Sequence, residues 1–152
     1  MPLIEGTKYE EIYDKFAKRI TDYNLFELLQ SDNVETQKFI ENMLEGHLMS
    51  SVAKFYKCKK DLSKRDEILK QFNVVLDDLE IEILSLLMVV EWAEPQVNST
   101  SNTLQFIGGT NTKYYAQANH LDKLMQLEET SRIKAKKLIR DYTYKTSMEN
   151  LG

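Results

Sequence analysis

The apolar residues near the start of the chain recur with the period of a helix. Thr7 and Glu10 form a capping-box pattern, and apolar residues then follow every three or four positions. The sequence therefore predicts an N-terminal arm at residues 1–6 and a first helix that runs to about residue 23. The apolar stripe of this helix comprises Tyr9, Ile12, Tyr13, Phe16 and Ile20.

A second stripe predicts a helix that starts at Ser31 and Asp32 and runs to about residue 57. Residues 26–29 are predicted to form a short turn over the core. Ser63 is predicted to cap a short third helix through about residue 71, with Asp66 as the acidic residue of its first turn. The buried stripe predicted for the second helix comprises Phe39, Ile40, Met43, Leu44, Leu48, Val52, Phe55 and Tyr56.

The segment 79–93 is apolar on nearly every side. Asp77 and Glu80 form a capping pattern at its start, and Pro95 is predicted to end it. A helix that is apolar all round is buried on all sides. In a domain of this size, we expect part of that cover to come from another subunit.

Residues 96–112 are rich in Asn, Ser and Thr and predict a protruding loop. Its apolar patch favours docking to a partner, and a β-hairpin with the two glycines as its turn is an alternative. The predicted partner-binding residues of this loop and the C-terminal region are Val97, Leu104, Phe106, Ile107, Gly108, Gly109, Tyr142 and Tyr144.

The last helix is predicted over residues 113–144, with a C-terminal tail at 145–152. Its length of about 45 Å exceeds the roughly 30 Å diameter of a compact domain of this size, so its end is expected to protrude or to pack on a neighbour. The predicted fold class is all-α: one domain over 1–152, built as a helical bundle of about four to five helices.

Composition narrows the function classes. The chain has 152 residues, and its net charge of −4 does not favour a general nucleic-acid binder. The lone Cys58 excludes an intramolecular disulfide, and the neighbouring lysines are expected to lower its pKa, although an incidental thiol is the favoured interpretation. The longest apolar run, residues 86–90, is far shorter than the ~20 residues that span a bilayer.

The sequence offers no catalytic signature. His47 and His120 lack the acidic residue three positions earlier that a helical di-metal site requires. Gly108 and Gly109 lack the lysine and further glycines of a phosphate-binding loop. No cofactor, metal or catalytic residue is therefore predicted, and the chain is not expected to be an enzyme.

Two basic clusters remain, at residues 54–65 and 132–145. Cations near helix C-termini favour the helix dipole, so a solvated charged face is the default interpretation. The alternative is contact with an acidic partner or with DNA. The candidates for that contact are Lys134, Lys136, Lys137 and Arg140.

Three segments resemble a family of small virion proteins. They are residues 55–66, which read FYKCKKDLSKRD, residues 71–98, which include LEIEILSLLM and EWAEPQVN, and residues 115–121, which read YAQANHL. The pattern is similar to the helical head–tail connector (neck or adaptor) proteins of tailed bacteriophages. The likeness covers most of the chain after residue 30.

This resemblance implies a structural protein that forms a homo-oligomeric ring, commonly of twelve copies, docked on the portal protein. Such a ring extends the DNA channel, with possible non-specific contact to the DNA, and offers a surface to the next neck or tail protein. The implied location is the virion neck, assembled in the host cytoplasm, with no membrane contact. The family has no catalytic residues to transfer.

Two other function classes stay open. One is a small helical protein-binding or regulatory module that acts as a dimer. The other is an enzyme with an unrecognised helical active site, which ranks last because the ionisable residues do not converge in the sequence.

Overall fold

The computed structural model describes residues 5–20, 32–107 and 112–151. Within them lie four helices and three very short strands. The helices are α1 (Tyr9–Ile20), α2 (Val34–Lys54), α3 (Asp78–Ile107) and α4 (Thr112–Leu151), and the strands are β1 (Thr7–Lys8), β2 (Arg65–Asp66) and β3 (Gln71–Phe72). The predicted all-α class is confirmed, with a small antiparallel sheet added to the helical bundle.

Helix α3 forms the centre of the core. Every residue from 83 to 90 is buried, and α1, α2 and α4 all pack against this helix. The prediction of an all-round buried helix is therefore confirmed. For residues 83–90 the cover comes from the chain's own helices, so the part that was expected from another subunit is not needed there.

The start of α1 differs from the prediction because Thr7 belongs to a strand. Its hydroxyl accepts a hydrogen bond from the backbone N–H of Leu76 at 2.9 Å instead of capping the helix. Strand β1 pairs with β3, which also pairs with β2. Gly6 is required beside this sheet, because a Cβ there would lie 2.1 Å from the carbonyl oxygen of Phe72.

The predicted third helix at residues 63–71 is wrong. Strands β2 and β3 form a hairpin there, with Arg65 opposite Phe72. The side chain of Asp66 accepts hydrogen bonds from the backbone N–H groups of Ile68 and Leu69, both at 2.9 Å. This local bonding competes with helix formation. Lys70 takes a left-handed conformation with φ of 53°, which turns the chain into β3.

Helix α2 starts slightly later than predicted. Its N-cap is Asn33, whose side chain accepts from the N–H groups of Glu35 and Thr36. Within the predicted stripe, Phe39 and Tyr56 are 69% and 79% exposed. The buried members are Ile40, Leu44, Leu48 and Phe55. The turn predicted at residues 26–29 lies outside the described residues, as does the predicted end of α1 near residue 23.

Pro95 does not end α3, and the predicted loop at 96–112 is wrong over its described part. The helix continues to Ile107 without a hydrogen bond from Pro95, which has no N–H to donate. Within this helix the hydroxyl of Thr103 donates a hydrogen bond to the backbone carbonyl of Ser99 at 2.9 Å. Helices α3 and α4 contact each other, and a composition rich in Asn, Ser and Thr does not reveal this pairing.

Helix α4 has 40 residues and continues to Leu151, so the predicted separate tail at 145–152 is helical up to that point. It is about 60 Å long, more than the sequence analysis predicted. Residues 94–107 of α3 and 112–125 of α4 lie at one end of the body, where Val97 and Leu124 still join the core, and we call them the two-helix arm. Among the described side chains of this arm, Thr100 and Leu124 are the buried ones.

Candidate functional site

The most connected polar group in the core is the carboxylate of Glu80. Its side chain is 1% exposed. Asp77 and Glu80 form the predicted capping box: each side chain accepts from the backbone N–H of the other residue, at 2.9 and 2.8 Å. This part of the prediction is confirmed, and the arrangement fixes the start of α3.

Two further donors reach the same carboxylate from distant parts of the chain. Lys60 Nζ lies 2.9 Å from Oε1, and the hydroxyl of Tyr142 donates to Oε2 at 2.7 Å. Burial opposes the ionisation of Glu80, but the bonds from Asp77, Tyr142 and Lys60 hold its pKa below the usual value. A carboxylate held ionised and enclosed in this way joins α3, α4 and the 55–61 segment, and it is not placed to exchange protons with a substrate.

Tyr142 completes the junction. Its hydroxyl accepts from the backbone N–H of Lys59 at 2.8 Å, and its ring meets Phe55 edge-on at 5.2 Å. The side chain is 4% exposed, and burial together with the bond to Glu80 raises its pKa. The prediction that Tyr142 contacts an external partner therefore does not agree with its position.

Cys58 lies beside this junction, with its Sγ 3.5 Å from Glu80 Oε2. Burial raises the pKa of the thiol to about 11. The prediction that the neighbouring lysines lower this pKa is therefore wrong, because desolvation is the largest effect on it. The thiol is protonated near neutral pH and is a poor nucleophile.

A second polar cluster surrounds Glu82 on α3. Lys15 and Arg19 approach it from α1, and Lys134 approaches it from α4 at 3.8 Å. Burial opposes the ionisation of Glu82, and the hydrogen bond from Arg19 is the largest of the effects that lower its pKa. Lys134, a candidate for DNA or acidic-partner contact, thus has an acidic neighbour within its own chain.

The histidines do not meet in a site. His47 is half-buried in α2 and burial lowers its pKa, while His120 is exposed on α4. Over residues 5–20, 32–107 and 112–151, no three His, Cys, Asp or Glu side chains are grouped as metal ligands.

The two basic clusters of the sequence meet in an open groove of about 480 Å³ between the end of α2 and α4. We call it the basic groove. Its lining includes the cations Lys54, Lys57, Lys136 and Arg140, and no carboxylate. Tyr144, a predicted partner contact, also lines it and is 69% exposed. The fold therefore brings together cations that lie about 80 positions apart in the sequence.

A second open groove, of about 420 Å³, lies at the base of the two-helix arm. We call it the acidic groove, because three carboxylates and one guanidinium line it. Val97, another predicted partner contact, contributes to its floor. The remaining lining residues are Glu94, Asn98, Met125, Glu128, Glu129 and Arg132, with Arg132 Nε 3.1 Å from Glu128 Oε1.

The two grooves follow one another along one face of α4. Residues 125, 129, 132, 136, 140, 143 and 147 line one groove or the other at spacings of three or four positions. We call this surface the bipolar face. The cations are visible in the sequence as two runs, whereas the acidic half depends on how Glu94 of α3 lies beside Glu128 and Glu129 of α4.

The remaining predicted residues lie on the arm, except Lys137, which lies farther along α4. Leu104 is half-buried on α3. Phe106 and Ile107 form the last two positions of that helix, whereas Gly108 and Gly109 lie outside the described residues. Lys137 is exposed on α4 but does not line the basic groove.

The comparisons with known proteins return no match to a family model, a curated protein or a solved structure. Of the helices in the described ranges, none combines the length and apolar character that a membrane span requires. The functional assignment therefore depends on the chain's own geometry and on the resemblance described above.

Proposed function

We propose that this chain is a structural subunit of a tailed-phage neck, a head–tail connector that docks on the portal. The observation that carries the proposal is the two-helix arm, which extends past Val97, the last α3 residue packed on the core, by roughly 15 Å at the helical rise per residue. An element that reaches beyond its own core is suited to contacts with other subunits.

The poor burial of the arm supports this role. In residues 94–105 of α3, Thr100 alone is buried, whereas every residue from 83 to 90 is buried in the body. Helices in proteins derive most of their stability from packing. We infer that the portal and sister subunits provide the missing packing, with Val97, Leu104, Phe106 and Ile107 on the arm as contact residues.

The far end of α4 offers further apolar surface. Tyr144, Met148 and Leu151 are 69%, 53% and 83% exposed. We propose that this end contacts a neighbour in the ring or the next protein of the neck. Exposed apolar residues at both ends of one long helix are consistent with a subunit that bridges two partners.

The segments that resemble connector proteins have distinct places in the fold. Residues 55–66 and 71–98 build the sheet, the Glu80 junction and the body half of α3, while residues 115–121 lie in the arm. The proposal accordingly includes what the resemblance implies: a ring, commonly of twelve copies, around the DNA channel, located in the virion neck and without enzymatic activity.

Shortening the arm tests the proposal. Deleting residues 99–105 together with 114–120 removes about two turns from each helix and keeps the two helices in register. We expect the shortened chain to retain its core and to lose binding to the portal protein encoded in the same genome. Binding would be measured by co-sedimentation with purified portal rings and by electron microscopy of the complex.

The full-length chain is the reference, and equal cooperativity of urea unfolding establishes that the shortened body is folded. Failure of the full-length chain to bind the portal would remove the connector proposal. Normal binding by the shortened chain would instead show that the arm is not the contact element. A second candidate, a helical binding module that acts as a dimer, is favoured by the complementary charges of the bipolar face.

A further inference from the structure

The bipolar face combines two opposite charge patches along one side of α4, with Lys54 and Lys57 near the end of α2 and Glu94 of α3 completing them. The basic groove has four cations, and the acidic groove has three carboxylates against one guanidinium. The chain as a whole carries a net charge of −4, so the basic groove is a local exception. A separated pair of opposite patches is a self-complementary pattern.

Ion pairs within the chain neutralise some of the charged side chains in the two grooves and leave the others available to a second molecule. Lys54 pairs with Glu91 of α3, and Glu128 pairs with Arg132. Glu94, Glu129, Lys136 and Arg140 have exposed side chains and no ion pair among the described residues. The basic groove also keeps Lys57, which is exposed and has no ion pair among the described residues, so each groove has at least two charged groups that can meet a partner.

The order of the grooves along α4 determines the orientation of a matching copy. A second copy that runs parallel and in register would place like charges together. In a second copy that runs antiparallel, the acidic groove of each copy lies opposite the basic groove of the other. The interface then contains two such contacts. The same patch then serves both copies, as in a two-fold symmetric interface.

We propose that two copies of this chain pair in antiparallel orientation through the bipolar face, with Glu94 and Glu129 of each copy facing Lys136 and Arg140 of the other. Apolar groups lie between the charges: Met125 in the acidic groove is 49% exposed, and Ile139 lines the basic groove. This pairing goes beyond the neck assignment, because it involves neither the portal nor the arm tip.

An acidic partner of the same chain fits the basic groove better than nucleic acid does. Nucleic-acid binders usually present a basic domain, and here three carboxylates lie on the same face a few helical turns away. Those carboxylates would repel a phosphate backbone that extends along α4, whereas they complete the contact with a second copy. Because the charges are exposed, the pairing is expected to weaken as salt rises.

Charge reversal tests the proposal. One variant carries Lys136→Glu and Arg140→Glu, and the other carries Glu94→Lys and Glu129→Lys. Each alone should show at least a ten-fold weaker self-association than the wild type in sedimentation velocity at low salt. A mixture of the two should restore a dimer, because reversed grooves then face each other with opposite charge.

The matched control for the Lys136→Glu and Arg140→Glu variant is Lys113→Glu with Lys123→Glu. It makes the same change of net charge on exposed residues of α4 outside the grooves. It should self-associate like the wild type. Dimers in the wild type and in the mixture, and monomers in each reversed variant alone, support the proposal. Portal binding is scored separately, so a failed dimer test and a failed neck test are distinguishable.

Three results would overturn the pairing. The first is a wild-type chain that stays monomeric up to millimolar concentration at low salt. The second is a mixture of the variants that forms open assemblies larger than a dimer. Such assemblies would show that the copies contact each other head to tail and not through a two-fold interface. The third is a basic groove that binds duplex DNA while the chain remains monomeric.

Discussion

Replacing Tyr142 by Phe tests whether the Glu80 junction holds the body together. The substitution removes one hydroxyl, which donates to Glu80 Oε2 at 2.7 Å and accepts from the Lys59 N–H at 2.8 Å. The ring and its contact with Phe55 are retained. The measured change therefore reports the polar contacts and not a cavity.

The magnitude follows from the two lost partners. A hydrogen bond to a charged group contributes about 1.5–3 kcal/mol, and an unsatisfied buried N–H costs about 1–3 kcal/mol. Some relaxation will reduce the sum, so we expect the variant to lose about 2–4 kcal/mol of unfolding free energy near pH 7. Urea unfolding followed by the fluorescence of Trp92, which is buried at 6% exposure, measures this difference.

The pH dependence has a defined sign. The folded-state pKa of Glu80 is lowered from 4.5, so its bonds stabilise the fold above that value, and this stability is lost as pH falls through the folded pKa. Without the tyrosine hydroxyl, the folded pKa rises. The gap between wild type and variant should therefore narrow as pH falls into the acid range, leaving the contribution of the Lys59 N–H.

Tyr144→Phe is the matched control, because it removes the same hydroxyl from a side chain that is 69% exposed. It should change stability by less than about 0.5 kcal/mol. A Tyr142→Phe variant as stable as this control would refute the reasoning. So would a large loss that stays constant from neutral to acid pH, because the carboxylate would then have no part in it.

Three other predictions concern the core, the sheet and the thiol. Leu84→Ala should destabilise the fold by about 2–5 kcal/mol in urea unfolding, because this side chain is fully buried, while Leu69→Ala at the 55% exposed hairpin turn should be nearly neutral. Thr7→Val should lower the unfolding free energy by about 1–3 kcal/mol, because the Leu76 N–H loses its acceptor. A loss equal to that of Thr130→Val at an exposed position would contradict the role of the Thr7 hydroxyl as this acceptor. Cys58 should react with a disulfide reagent far more slowly in the folded chain than in urea near pH 8, because its pKa of about 11 keeps it protonated, and equal rates would show that the thiol is not desolvated.

Periodicity and capping predicted most of the helical framework. The stripe of α1, the core helix at 79–93 and the Asp77–Glu80 cap are all local patterns, and the structure has them. The fold class follows from the same signals. Each of these features depends on residues within a few positions of each other, which is the range that a sequence pattern reports.

The errors arose where distant contacts outweigh local preference. The hydroxyl of Thr7 accepts a hydrogen bond from the backbone N–H of Leu76, 69 positions away. Thr7 therefore lies in a strand, although its local pattern is that of a helix cap. Residues 96–107 remain helical beside α4 despite Pro95 and a composition typical of loops. The apolar segment 79–93 indicated missing cover, but the cover comes from helices whose placement no local pattern specifies.

The candidate site was predictable only in part, for the same reason. The cations of the basic groove stand out in the sequence as two runs. Their meeting depends on how the end of α2 packs beside α4. The acidic groove combines residues of α3 and α4 that lie 27 to 38 positions apart, from Asn98 with Met125 to Glu94 with Arg132. Nothing in the local sequence indicates that they meet.

The junction at Glu80 also bears on how the chain matures. Tyr142 lies 62 positions after Glu80 and 83 after Lys59. During synthesis, Glu80, Lys60 and the backbone of Lys59 are made well before Tyr142. The Glu80 junction can therefore close only after Tyr142 has been synthesised. A product that terminates before residue 142 would lack the phenol that donates to this carboxylate.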